Sequence, residues 1–149
     1  MAETPRIENR KARQYYEFLE FVEAGIALTG PEVKSVRAGQ VSFGDSYVEC
    51  RGGEAFVLGM RIAPYDRGGY AAQDPDRDKK LLLHSREIRM LTARIEQKGL
   101  TVVPLKMYFK HGRIKVELAL ARGRKLHDQR EELKRRAEAR DTERELARN

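Results

Sequence analysis

Four cations and one tyrosine alternate with apolar residues along two segments that a short turn joins in the C-terminal third of the chain. Lys106, Tyr108 and Lys110 lie on one segment, and Arg113 and Lys115 lie on the other. In paired strands, alternate residues share one face of the sheet. Cations neutralise phosphates, and an aromatic ring offers a surface on which a base stacks. The pattern favours a nucleic-acid-binding face; the alternative is a solvated sheet edge with one surface tyrosine.

Three other segments are basic, and the C-terminal one is the most informative feature of the chain. Lys80 and Arg86 flank a strand-to-helix junction and repeat the same chemistry with fewer groups. Residues 1–14 are polar and basic, which predicts a flexible N-terminal arm.

Residues 122–149 hold ten Lys or Arg, seven Asp or Glu and only three leucines. Three leucines bury too little surface to order so long a segment, yet its composition favours helix. We expect a tail that is disordered or helical depending on context; the alternative is a frayed, solvated helix.

The overall charge points in the same direction. The chain has 149 residues, with 30 Lys and Arg against 23 Asp and Glu, which gives a net charge of +7. Both the tail and the rest of the chain are basic. Such an excess of basic over acidic residues usually indicates a polyanionic partner, most often a nucleic acid. The alternative is a basic protein whose charge serves only solubility.

Several kinds of chemistry find no support in the residues. No phosphate loop, dinucleotide fingerprint or GxSxG elbow is present. The three histidines, His84, His111 and His127, have no metal-ligand spacing, and Cys50 is the only cysteine. We therefore predict a protein that is not an enzyme and uses no metal and no cofactor. No apolar run is long enough for a membrane span, so we expect a cytoplasmic protein.

The elements that must position these residues follow from turn and periodicity signals. A capping box at Thr29 and Glu32 begins one predicted helix, and Gly52-Gly53 and His111-Gly112 predict hairpin turns. Leu105, Met107 and Phe109 alternate toward a predicted core. The predicted strands are 15–28, 46–51, 54–62, 100–110 and 113–121, and the predicted helices are 29–37 and 84–98. These elements predict a mainly β, α+β domain over residues 15–121, built as a small antiparallel barrel with flanking helices.

Six ordered blocks resemble one known family, the SsrA-binding proteins, also called small protein B, which are bacterial partners of transfer-messenger RNA. The blocks are NRKARQYY (9–16), FVEAGIALTGPEVKSVRAG (21–39), DSYVECRGGEAF (45–56), DPDRDKKLLLHSREI (74–88), KGLTVVPLKMYFKHGRIKVELALARGRK (98–125) and HDQREELKRR (127–136). The resemblance implies an OB-like barrel that binds the tRNA-like domain of transfer-messenger RNA. It also implies a role in trans-translation, the rescue of stalled ribosomes, and we expect a monomer that does not bind membranes.

The resemblance also implies particular residues. On the RNA-binding side, the family's residues match Asn9, Lys11, Arg13, Glu23, Lys34, Leu82 and His84. In the tail, which the family inserts into the decoding centre and empty mRNA channel, they match Gly123, Arg124, Lys125, His127, Asp128 and Arg130. Lys80, Arg86, Lys106, Tyr108 and Lys115 join the RNA-binding set on the evidence of the residues alone.

Two departures from the family's pattern affect these expectations. Gln129 replaces a lysine that the family usually has, which removes one cation from the tail. Gln14 replaces a common histidine and weakens stacking there. The runner-up function is a general single-stranded RNA- or DNA-binding module on an OB-like barrel. It predicts sequence-tolerant binding that does not need the tail.

Overall fold

The structure is a computed structural model that describes residues 6–64, 74–97, 99–123 and 140. The N-terminal half contains two helices and six strands within those residues: β1 (Ile7–Glu8), α1 (Arg10–Tyr15), β2 (Tyr16–Ile26), α2 (Gly30–Arg37), β3 (Val41–Ser42), β4 (Tyr47–Arg51), β5 (Glu54–Leu58) and β6 (Arg61–Ile62). The C-terminal half adds β7 (Lys79–Leu82), α3 (Ser85–Ile95), β8 (Leu100–Lys110) and β9 (Arg113–Gly123).

Seven of the strands form one antiparallel sheet in the order β1-β8-β9-β2-β7-β5-β4, and β3 pairs with β6 separately. The sheet curls, because β4 at one end lies against β8 near the other. Its inner face holds the main core, to which Val57, Met60, Met107 and Val116 each contribute a fully buried side chain. The predicted fold class, a mainly β antiparallel domain with flanking helices, is confirmed, and the curvature is compatible with the OB-like barrel.

The longest hairpin forms as its turn residues predict. His111 and Gly112 both have positive φ, 53° and 73°, so two residues reverse the chain between β8 and β9. A bulge between Pro104 and Lys106 shifts the register of β8 against β9. The prediction that Leu105 shares a face with Met107 is therefore wrong, because the extra residue turns Leu105 toward a second, smaller apolar cluster.

Residues 6–14, the described part of the arm predicted for residues 1–14, form a strand and a helix. Residues 6–14 fall within the described part of the chain, where β1 pairs with β8 and α1 packs on the sheet. Asn9 anchors this segment: its Nδ2 donates to the Pro104 carbonyl at 2.8 Å, and its Oδ1 accepts from the Ala12 amide at 3.3 Å. Ala12, only 3% exposed, is small enough to let α1 approach Ala119 and Ala121. The division into arm, domain and tail stays a prediction.

The second helix is tied to the segment that precedes β7. The predicted capping box is confirmed, because Thr29 and Glu32 exchange backbone and side-chain hydrogen bonds. Glu32, 5% exposed, also accepts from Arg77, whose Nε lies 3.0 Å from Oε2. Lys79 is fully buried and donates from Nζ to the carbonyls of Met60 and Pro75. Burial lowers the pKa of Lys79, and these two acceptors hold its ammonium group in place.

We expect Glu32→Ala to lower the free energy of unfolding by about 2–3 kcal/mol, because it removes the carboxylate partner of the Arg77 guanidinium and a helix cap. Glu87→Ala is a matched control, since Glu87 accepts from the His84 amide at the same helical position of α3. It should cost only about 0.5–1 kcal/mol, because that bond is a cap alone. Urea denaturation at pH 7 measures both. Equal losses would contradict the structural role of the ion pair.

The loss of stability caused by Glu32→Ala should also depend on pH. Burial raises the pKa of Glu32, but hydrogen bonds from Arg77 and Thr29 outweigh burial and leave the pKa below its ordinary value. A carboxylate of lowered pKa contributes stability above its unfolded pKa, about 4.3, and loses it as the pH falls through the folded value. The cost of Glu32→Ala, measured by urea denaturation between pH 6 and pH 3, should therefore shrink as the pH falls.

Candidate nucleic-acid interface

A groove of about 700 Å³ lies where β2, β7 and β9 meet the start of α3, and we call it the β7 groove. It brings together five side chains that were predicted to bind RNA from separate regions of the sequence. These are Glu23 from β2, Lys80 and Leu82 from β7, His84 at the start of α3, and Lys115 from β9. Two cations, one carboxylate, one imidazole and one apolar side chain can therefore contact a single ligand.

Gly25 brings these strands together. It is opposite Leu82 of β7 and opposite Lys115 of β9, at the point where β2 pairs on both sides. A Cβ atom on Gly25 would lie 3.1 Å from the Leu82 Cβ, closer than side chains pack without a shift. Leu82 is consequently held over the glycine with 54% of its surface exposed. A glycine inside a strand often marks such a close approach, which is the signal that could have placed Gly25 in the site.

The polar groups of the groove are partly held by local contacts. The backbone amide of His84 donates to Glu87 at 3.0 Å, which begins α3 and leaves the imidazole exposed. Lys80 Nζ lies 3.1 Å from Glu54, another groove residue that the sequence analysis missed. Arg86 is exposed in the first turn of α3 but does not line the groove. The groove can thus offer both hydrogen-bond donors and acceptors to a ligand.

The predicted face of cations around Tyr108 carries both signs of charge in the structure. Tyr108 donates from its hydroxyl to Glu23, and Lys110 Nζ lies 3.3 Å from the same carboxylate. Lys106 pairs with Glu117 across the hairpin at 3.3 Å. The hydrogen bond from Tyr108 lowers the pKa of Glu23, while burial and the bond to Glu23 raise that of Tyr108. At neutral pH the pair is a carboxylate that accepts from a neutral phenol.

A second groove of about 370 Å³ lies beside α1, and we call it the α1 groove. It contains three further residues of the prediction, Asn9, Lys11 and Gly123. Lys11 is exposed and bonds to Asp45 at 2.8 Å, whereas Asn9 is buried and uses its side-chain amide within the fold. The sequence analysis missed Asp45 and Tyr15, which also line this groove. Neither residue type nor spacing distinguished them from ordinary surface residues.

The remaining predicted residues lie outside the two grooves or outside the described chain. Arg13 and Lys34 are exposed on α1 and α2 and line neither groove. Of the predicted tail residues, Gly123 ends β9 and lines the α1 groove described above. The others, Arg124, Lys125, His127, Asp128 and Arg130, lie outside the described residues. The prediction for the tail contacts stays a prediction.

Two further classes of site are absent from the described parts of the chain. No cluster of three or more His, Cys, Asp or Glu side chains there could hold a metal ion. No helix among the described residues is long and apolar enough to cross a membrane.

Comparison with known proteins identifies relatives over nearly the whole chain. A family profile described as SmpB protein matches residues 6–148. The SsrA-binding protein of Nitratidesulfovibrio vulgaris is 64% identical, over 95% of this chain and 92% of the relative. That of Lawsonia intracellularis is 61% identical, over 94% of this chain and 90% of the relative.

A more distant relative and a solved structure agree with this. The SsrA-binding protein of Gloeothece citriformis is 54% identical, over 95% of this chain and 92% of the relative. A solved chain described under "tmRNA-SmpB: a journey to the center of the bacterial ribosome" superposes with a TM-score of 0.69 at 55% identity, covering 82% of this chain and 86% of that one. The resemblance inferred from the sequence is thereby confirmed: the chain belongs to the SmpB family of SsrA-binding proteins.

Proposed function

We propose that this protein binds transfer-messenger RNA and acts with it on the ribosome in trans-translation. The observation that carries the proposal is the β7 groove, which gathers Glu23, Lys80, Leu82, His84 and Lys115 into one surface. Membership of the SmpB family supports the choice of RNA, because its members are named for binding SsrA RNA and one is described with transfer-messenger RNA in the ribosome. The tRNA-like domain is the part of that RNA that the β7 groove would hold.

The groove suits a folded RNA because it combines several kinds of contact. Lys80 and Lys115 supply cations for phosphates, and the Leu82 side chain presents an exposed apolar surface to a base or ribose. Glu23 is ionised and can accept hydrogen bonds from base amino groups. Its carboxylate also penalises a plain phosphate chain. This mixture of charges favours an RNA whose shape places bases and phosphates in particular positions.

The tail would supply a second contact. We propose that the part of the predicted tail beyond β9, residues 124–149, enters the decoding centre and the empty mRNA channel. It includes Arg124, Lys125, His127, Asp128 and Arg130. Attachment to the folded domain makes that contact effectively intramolecular once the RNA is bound. The activity is binding rather than catalysis, and we propose that it is carried out by a monomer in the cytoplasm.

A general single-strand binder is the competing function. Such proteins combine a basic groove with stacking platforms and tolerate many sequences. The Tyr108 face argues against it, because the carboxylates of Glu23 and Glu117 lie among its cations and repel a continuous phosphate backbone. A single-stranded RNA of equal length, used as a competitor against the tRNA-like domain, distinguishes the two functions.

We expect Lys115→Ala to weaken binding of the tRNA-like domain about 3- to 10-fold and to reduce the slope of log K against log salt by about 1, as loss of one phosphate contact should. Arg61→Ala is a control of equal charge change, since Arg61 is exposed in β6, pairs with Asp76 and does not line the groove. Gel shifts at several salt concentrations measure both. Equal weakening by the two variants would mean that only net charge matters.

Deletion of residues 124–149, which keeps β9 complete to Gly123, should leave binding of the isolated tRNA-like domain intact but abolish tagging of stalled nascent chains. The reason is that the groove and the tail are proposed to contact different partners. Tagging is measured in a reconstituted translation system. A chain with the same tail composition in shuffled order controls for charge, and it should also fail to tag. Loss of RNA binding on deletion would contradict this division.

A further inference from the structure

The α1 groove contains a buried polar group that the fold does not use. Ser46 is 3% exposed, and its hydroxyl has no hydrogen-bond partner among the described residues. Leaving such a group unsatisfied is destabilising, so buried hydroxyls are nearly always bonded. Ser46 lines the groove, where a ligand could supply the missing partner.

Two tyrosines and two glycines line the groove. Tyr15 and Tyr16 contribute aromatic rings, and Gly44 and Gly123 contribute backbone without side chains. A Cβ atom on Gly123 would lie 3.7 Å from Cε1 of the Tyr16 ring, so its backbone runs directly against that ring. Aromatic rings and bare backbone bind planar groups well, and unstacked RNA bases are bound in this way.

The rim of the groove has a donor and an acceptor side by side. Lys11 Nζ lies 2.8 Å from one oxygen of Asp45, and both side chains are at least half exposed, at 51% and 89%. The carboxylate of Asp45 has a second oxygen and further lone pairs. It can therefore accept two adjacent N–H groups while Lys11 donates to a neighbouring oxygen.

We propose that the α1 groove binds an unstacked guanine base of RNA. Guanine alone among the bases places two N–H donors next to each other on its Watson–Crick edge, N1–H and the exocyclic amino group, and both match the carboxylate of Asp45. Its O6 atom lies beside them and accepts from Lys11. Adenine, cytosine and uracil each place an acceptor next to a donor there, which a carboxylate repels. The Ser46 hydroxyl bonds to a polar atom of the guanine outside its Watson–Crick edge.

This site is distinct from the β7 groove. Lys115 and Gly123 lie eight residues apart on β9, roughly 26 Å in an extended strand, so one base cannot touch both grooves. The inference rests on the proposed RNA-binding function. The guanine belongs either to transfer-messenger RNA or to ribosomal RNA, and the chemistry that recognises it is the same.

The test is a titration of the ¹⁵N-labelled full-length protein with 5′-GMP, followed by NMR, with 5′-AMP and inorganic phosphate as controls. We expect the backbone amides of Gly44, Ser46 and Gly123 to shift with GMP, and GMP to bind at least about fivefold more tightly than AMP, as one bidentate pair permits. Absence of shifts at these amides, or equal shifts with AMP or phosphate, would overturn the proposal.

Two variants separate binding from folding. Ser46→Ala should leave the melting temperature unchanged or raise it, because it removes an unsatisfied group, and yet weaken GMP binding. Asp45→Asn, at an exposed position, should abolish the preference for GMP over AMP. Unchanged GMP binding in both variants would overturn the proposal.

A last comparison keeps this inference separate from the proposed function and identifies the source of the base. Lys115→Ala should weaken binding of the tRNA-like domain but leave the GMP shifts intact, so either idea can fail alone. Ser46→Ala is then assayed with the isolated tRNA-like domain and with ribosomes. Weaker binding to the first assigns the base to transfer-messenger RNA, and weaker binding only to the second assigns it to ribosomal RNA. Unchanged binding to both would overturn the site.

Discussion

Two-sided pairing of β9 is the constraint on which the rest of the structure depends. This strand pairs with β8 from Arg113 to Arg122 and with β2 from Lys115 to Gly123. Side chains alternate between faces, so a slip of one residue would move Val116 and Leu118 out of the core and bury Glu117, which lies between them. The two ladders therefore decide what both grooves contain, because Lys115 belongs to one groove and Gly123 to the other.

Features that depend on neighbouring residues were predictable from the sequence. The capping box at Thr29 and Glu32 and the turn at His111-Gly112 involve residues within three positions of each other, and both form as expected. The position of residues 6–14 on the sheet depends instead on a bond between Asn9 and Pro104, 95 positions apart. No local pattern contains that information. The bulge that redirects Leu105 is equally invisible, because it arises from the fit of β8 to its partner strand.

The candidate site was also only partly predictable from the sequence. Residue types and resemblance identified Glu23, Lys80, Leu82, His84 and Lys115, which do come together. They could not show which polar groups the protein uses for itself. The side-chain amide of Asn9 already bonds to the Ala12 amide of the helix cap and to the Pro104 carbonyl. The hydroxyl of Tyr108 donates to Glu23. The sequence shows that a cation or an aromatic side chain is present. Whether that side chain can bind a ligand depends on the groups that it already contacts in the folded protein.

The pairing of distant strands has a consequence for how the chain is made. β1 pairs with β8 and β2 pairs with β9, so the first two strands synthesised must wait for the last two. Until then β2 keeps Leu19 and Phe21, which are already 40% and 59% exposed in the folded protein, next to unpaired backbone groups. Contacts of such long sequence separation slow folding, and unpaired strands invite association with other chains. Nascent copies of this protein are therefore most vulnerable to aggregation during the interval before β9 is complete.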